Sequence, residues 1–362
     1  MCLYFFGNIF KRKWNVKKYI DSLDKDITEL NLSNKELYEL PDLSLFSKLQ
    51  VLKCFNNNLT TLPPSLPASL KEIYCQNNKI VVLPDCLPVS LSVLNCNNNC
   101  LDLLPISLPI HLEKLYCENN ILLNLPPILP DSLREIFCKN NKLMSFPALL
   151  PVSLIIISCD NNDIALLPLV FPPSLRLFTC ANNFITSLPD NLPDTLKILK
   201  CCDNRLTVLP EKLPAFLKSL RCNNNLLITM PNNLPDTLER LYCAGNLLTR
   251  LPAKMPKPLK ILVCYNNHLN RLPNNLPNNI QILDCGLNNI CVLPKKLPNS
   301  LRILYCNDNR LSSITDRLPD TLEILNCNNN PSLTFLHKNL PSSLQELCCN
   351  KNQIRKMTTI YV

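Results

Sequence analysis

Cysteine recurs at every twenty-first position from Cys54 to Cys327, fourteen times without a slip. The frame around each is the same, L-x-x-L-x-C-x-N-N-x-L-x-x-L-P-x-x-L-P-x-S/T. In one turn it reads Leu70, Ile73, Cys75, Asn78, Ile80, Leu83, Pro84, Leu87 and Pro88. A fixed period of this length marks stacked units, each unable to bury its apolar face alone. Starts at Ile27, Leu49, Leu70 and every 21 residues to Leu322, then at Leu344, give 16 repeats. The first has Leu32 in the cysteine place and Lys35 in the asparagine place. Near the end, Pro331-Ser332-Leu333 adds one residue, which leaves Cys349 in frame and Cys348 one place outside it. The frame predicts an array over 27–362, closed by a thin C-terminal cap from Ile354, with residues 1–26 as a separate N-terminal cap.

The pattern also selects the backbone. Alternation in x-L-x-C-x predicts a short strand with Leu52 and Cys54 on one face and Val51, Lys53 and Phe55 on the other. Copies of it pair as a parallel sheet. The return half cannot be helical, because prolines four apart, such as Pro63 and Pro67, would each cost about 3 kcal/mol in a helix interior. Extended, polyproline-like backbone is expected there, on the convex side of a solenoid whose sheet is concave. The inner asparagines (Asn57, Asn78, Asn99, Asn120 and successors) are expected to form a ladder that satisfies the backbone of the turns, since an amide both donates and accepts.

LxxLxCxxNxL resembles the leucine-rich repeat signature with Cys for the third Leu, and the LPxxLPxxL half is similar to the short repeats of bacterial effectors and of giant-virus proteins. The resemblance spans residues 27 to about 356 and implies a leucine-rich repeat horseshoe that binds protein partners and has no catalytic role. It also implies a rival: a substrate-recruiting module related to the ubiquitin-ligase effectors. Their C-terminal catalytic domain has no room in a chain that stops about ten residues after its last repeat.

Composition narrows the chemistry. Only three glycines, Gly7, Gly245 and Gly286, exclude glycine-rich phosphate loops, and three histidines (His111, His268, His337) without HExxH argue against zinc hydrolases. No cofactor or metal is expected. The 21 cysteines are expected to be free: in-register neighbours stand about 4.8 Å apart with parallel Cβ vectors, too far for disulfides. Free thiols suit a reducing, cytoplasmic compartment, that of the host if the source is a pathogen or virus. Cys202, just after the column cysteine Cys201, is expected to face outward near Lys200 and Arg221, whose charges would favour a thiolate.

The sheet face is the expected docking surface. Its column before Cys carries Tyr74, Tyr116, Phe137, Lys200, Arg221, Tyr242 and Tyr305, residue types enriched at binding hot spots. Two positions earlier stand Arg240 and then Ile261, Ile282, Ile303 and Ile324 in consecutive repeats; with Val263 and Tyr265 they make an apolar patch. Two readings of the isoleucines stay open, a contact site or packing of the sheet margin under a loop. The net charge of +9 is concentrated: residues 197–260 hold eleven basic and four acidic residues. That favours an acidic protein partner; with no reading motif, nucleic acid is not expected.

At the N-terminus, Val16, Ile20, Leu23 and Ile27 recur at helical spacing, which predicts a capping helix from Asn15. Phe5, Phe6, Phe10 and Lys11-Arg12-Lys13 offer a minority reading as a membrane-surface segment. No apolar stretch reaches the length of a spanning helix. A monomer is expected, with the last strand's edge as the place where another chain could pair.

Overall fold

Each turn of the chain contributes one three-residue strand, and each strand pairs in parallel with that of the next turn. The structure, a computed structural model, describes residues 15–315, 317–336 and 340–353. The segment with Phe5, Phe6, Phe10 and Lys11-Arg12-Lys13, His337 and the cap from Ile354 lie outside the described residues. The chain divides into two compact units, residues 1–133 and 134–362.

The first unit holds α1 (Val16–Asp21), then β1 (Glu29–Asn31), β2 (Val51–Lys53), β3 (Glu72–Tyr74), β4 (Val93–Asn95) and β5 (Lys114–Tyr116), paired in chain order. The second holds β6 (Glu135–Phe137), β7 (Ile156–Ser158), β8 (Leu177–Thr179), β9 (Ile198–Lys200), β10 (Ser219–Arg221) and β11 (Arg240–Tyr242). It continues with β12 (Ile261–Val263), β13 (Ile282–Asp284), β14 (Ile303–Tyr305), β15 (Ile324–Asn326) and β16 (Glu346–Cys348), again paired in order. Both units are repeat solenoids with an extended return segment between strands.

The helix is shorter than its apolar spacing predicts. Asn15 caps it by accepting from Lys18 N at 2.9 Å, but it ends at Asp21, and Leu23 and Ile27 fall beyond it. Asp24 turns the chain there by accepting from Asp26 N, which competes with helix continuation. Ile20 is buried, and Lys25 joins the helix to the first turns: its ammonium donates to Ile20 O and lies 4.6 Å from the Phe46 ring.

The interior is built of columns. The central strand residue, the column cysteine and the leucines of the return segment are buried, the first two almost all at 0% exposure. The strand is one residue shorter than the cysteine, yet the thiol continues its inward alternation. In several turns its S–H donates to the backbone carbonyl of the following strand, as in Cys96 to Tyr116 O at 3.3 Å and Cys159 to Thr179 O at 3.2 Å. A leucine here would lack that weak donor and would demand more room, which explains the small polarizable residue.

Asparagine takes two separate roles. The inner one sews adjacent turns together: Asn78 Oδ1 accepts from Leu59 N at 3.0 Å, while Nδ2 donates to Cys54 O and Cys75 O, each at 3.0 Å. The outer one turns the backbone. Asn56, Asn77, Asn98, Asn161 and Asn182 all have φ between 53° and 57°, the left-handed region that asparagine tolerates better than other side-chain-bearing residues. Their side chains form a second, exposed ladder, in which Asn77 Nδ2 donates to Asn56 Oδ1 at 2.6 Å and Asn98 Nδ2 to Asn77 Oδ1 at 2.7 Å. Gly245 fills this place at φ 61°, and a Cβ there would come within 2.2 Å of the Asn224 amide oxygen. The Ser/Thr of the frame supplies a third ladder. Ser132 Oγ donates to Leu112 O at 2.7 Å and Thr195 Oγ1 to Leu175 O at 2.8 Å, capping the carbonyl of the preceding turn.

Candidate partner-binding face

On every strand the first and third side chains project from the sheet, because the second is committed to the core. This fixes which of the sequence-predicted residues are neighbours on the sheet. In the first unit, Tyr74 and Tyr116 stand on β3 and β5 with Asn95 between them. The Tyr74 hydroxyl donates to Glu72 Oε2 at 2.8 Å; burial and then this carboxylate push its pKa up to about 12.

In the second unit Phe137 lies on β6, three strands from the main group. Lys200 on β9 reaches back across a whole turn to Asp160, with Nζ to Oδ2 at 2.8 Å. Arg221 and Tyr242 are register partners on β10 and β11, and the guanidinium stacks 4.9 Å from the ring centre. Arg240 is exposed at the other end of β11. Ile261, Ile282, Ile303 and Ile324 are consecutive register partners on β12–β15 and are all half-buried, so the structure makes them one continuous apolar stripe. Tyr305 stands on β14, and Tyr265 follows β12, exposed.

Cys202 corrects an expectation. It is 7% exposed, not outward-facing, and burial raises its thiol pKa above the ordinary value; Lys200 and Arg221 act in the opposite direction but do not win. Its thiol is therefore less acidic than an ordinary cysteine, not more. The column thiols are more strongly affected: burial pushes Cys75 and Cys243 up to about 12. Alkylation of the native protein with iodoacetamide at pH 8 is therefore expected to label Cys86, Cys100 and Cys291, which are exposed, and to spare the column from Cys54 to Cys327 until denaturant is added. Peptide mapping by mass spectrometry reads this out; native labelling of Cys159 or Cys222 would contradict the packing.

A second exposed apolar surface escaped the sequence reading. In the first unit Val89, Ile106, Ile110 and Ile128 stand out from the return segments, Ile128 at 78% exposure; in the second, Leu149, Leu169 and Val170 do the same. In later turns these places are polar, as in Asp190-Asn191, Asn232-Asn233 and Lys295-Lys296. Comparing the x-x of successive LPxxLP motifs, and for Val89 and Ile110 the residue after the second proline, would have found it.

Among the described residues no three His, Cys, Asp or Glu side chains converge to hold a metal ion, and no helix is long and apolar enough to cross a membrane.

No protein-family model matches the chain, and no curated protein sequence does either. Solved structures do. YopM, a leucine-rich effector protein from Yersinia pestis, is 32% identical, with a TM-score of 0.77 over 92% of this chain and 91% of its own. YopM from Yersinia enterocolitica is 29% identical, with a TM-score of 0.68 over 93% and 90%. The leucine-rich repeats of FLRT2, solved in an octameric complex with Latrophilin 3 and Unc5D, are 26% identical at a TM-score of 0.56, over 68% and 87%. With 32% identity and a TM-score of 0.77 over nearly the full length of both chains, the chain belongs to the leucine-rich repeat proteins of bacterial effector type.

Proposed function

We propose that this protein is a non-enzymatic scaffold that binds protein partners through the sheet face of its second unit. The carrying observation is the unbroken isoleucine stripe from Ile261 to Ile324, flanked by the stacked Arg221–Tyr242 pair. Half-exposed apolar surface in a continuous strip beside Arg and Tyr has the make-up of a binding hot spot. FLRT2 supports the reading, being a leucine-rich repeat protein solved in complex with two other proteins. The YopM relatives support an effector-like role, in the cytoplasm of a host cell, where a column of free thiols would persist. Residues 1–26 close the leading end of the array in this reading, and the chain acts as a monomer. The substrate-recruiting alternative rests on sequence resemblance alone, since neither YopM structure adds a link to ubiquitin ligation.

Proximity labelling in host cells compares the wild type with an Arg221→Glu/Tyr242→Ala/Ile282→Ser variant. The expected result is at least tenfold loss of the labelled partners, with the unfolding midpoint held within a few degrees. A Lys295→Glu/Lys296→Glu variant on the return side keeps them. An unchanged partner set in the triple variant would overturn the proposal.

A further inference from the structure

Three acids on or beside the sheet of the second unit are each paired with a cation. Asp160 holds Lys200 at 2.8 Å, Glu239 holds Lys260 at 3.2 Å and Lys218 at 3.5 Å, and Glu323 holds Arg302 at 2.7 Å. Asp284, the third residue of β13, has no such partner among the described residues. It sits half-buried between Val263 and Tyr305, beside Ile282, and among the described residues its carboxylate accepts only from Gly286 N, at 3.2 Å. No Lys or Arg among the described residues reaches it. Burial raises its pKa, as expected of a carboxylate that has lost water and gained no counter-ion.

Among the described residues, Arg221 and Arg240 form no ion pair either: Arg221 on β10 has a ring beneath it, and Arg240 on β11 is exposed. From β10 to β13 is three strand spacings, about 14 Å. Between them, apart from Arg240, the face carries Tyr242, Ile261 and Val263.

Resting on the scaffold reading above, we propose that this face receives an extended segment of a partner protein with the pattern acid–x–apolar–x–base. The acid is seated on Arg221 and Arg240, the apolar residue on Ile261 and Val263, and the base on Asp284. The spacing follows from the geometry. An extended chain rises about 3.3 Å per residue, so four residues cover the gap between the charges, and residues two apart face the same side. The unpaired carboxylate thus has a use: in the free protein it is an uncompensated charge in apolar surroundings, and the partner's Lys or Arg compensates it. Asp284 also rejects segments that place an apolar or acidic residue there.

The test pans a phage-displayed random dodecapeptide library on the purified full chain, then measures the consensus peptide by fluorescence anisotropy. Enrichment of an acid four residues before Lys or Arg is expected. Asp284→Asn, which keeps the acceptor for Gly286 N, should weaken the peptide at least tenfold without lowering the thermal midpoint. Asp284→Lys should restore binding to a peptide whose base is replaced by Glu. Enriched peptides without the charge pattern, lost on Ile282→Ser but indifferent to Asp284→Asn, overturn this inference and leave the scaffold reading intact. No enrichment, or binding indifferent to every substitution on the face, overturns both.

Discussion

Asn162→Ala lowers the stability of the second unit by roughly 3–4 kcal/mol, Asn161→Ala by about 1–2 kcal/mol, and Asn161→Gly by less than that. The order follows from what each side chain holds. Asn162 Oδ1 accepts from Leu143 N at 3.0 Å, and Nδ2 donates to Cys138 O at 3.1 Å, Cys159 O at 3.0 Å and Asp160 O at 3.3 Å. Alanine would strand a buried N–H and remove a donor from three carbonyls; each orphaned group costs about 1–3 kcal/mol. Asn161 is exposed and its ladder partners, Asn140 and Asn182, can turn to solvent. Its cost is conformational, because φ 57° is unfavourable for alanine by about 1–2 kcal/mol, whereas glycine adopts it freely. Urea denaturation followed by circular dichroism measures the series. Equal midpoints for the two alanine variants would remove the inner ladder from the account.

The second large effect is at Phe178, where alanine should cost about 3–5 kcal/mol. This ring occupies the central, fully buried position of β8, between Ile157 and Leu199 in register, where most other turns have Leu. It meets Phe171, which replaces the second proline-preceding Leu of the same frame, at 4.9 Å between ring centres and a 53° tilt. The two rings are thus one local solution to filling a turn. A Phe178→Leu change leaves a smaller void, about 1–2 kcal/mol, and adding Phe171→Leu should cost less than the sum because both sites then match the frame. Thermal unfolding of the two single variants and the double variant checks this. A Phe178→Ala variant that melts like the wild type would mean that the ring is not packed as described.

The period alone placed Leu52, Cys54 and Asn57 in the interior, and those columns are where the structure has them, because inward alternation depends only on strand geometry. What it could not place depends on the path between strands. The positive φ of the outer asparagines is a property of the tight turn after the cysteine, and C-x-N-N does not say which Asn turns the chain. The Ser/Thr hydroxyls find their carbonyls only once the preceding turn is stacked. Cys202 differs from expectation for a related reason: alternation puts its column on the outward side, yet the stacked turns leave it only 7% exposed. On the face, the columns were legible while the pairings were not. Lys200 finds Asp160 forty residues back, and that reach decides which charges remain for a partner. Asp284 was visible as a letter in a column, but its isolation appears only when the cations around it are accounted for.

The sewing asparagines touch nothing but main-chain atoms and so are blind to what their neighbours' outward side chains happen to be. Each turn is therefore an interchangeable cartridge. Duplicating or excising 21 residues returns the cut ends to the same register, and the 22-residue steps from Leu30 to Leu52 and from Leu325 to Leu347 show that the return segment absorbs one extra residue with the strands still paired. Evolution, or a designer, can rewrite the letters displayed on the outside one turn at a time, and lengthen the displayed text in whole lines, with the spine of the book left unaltered.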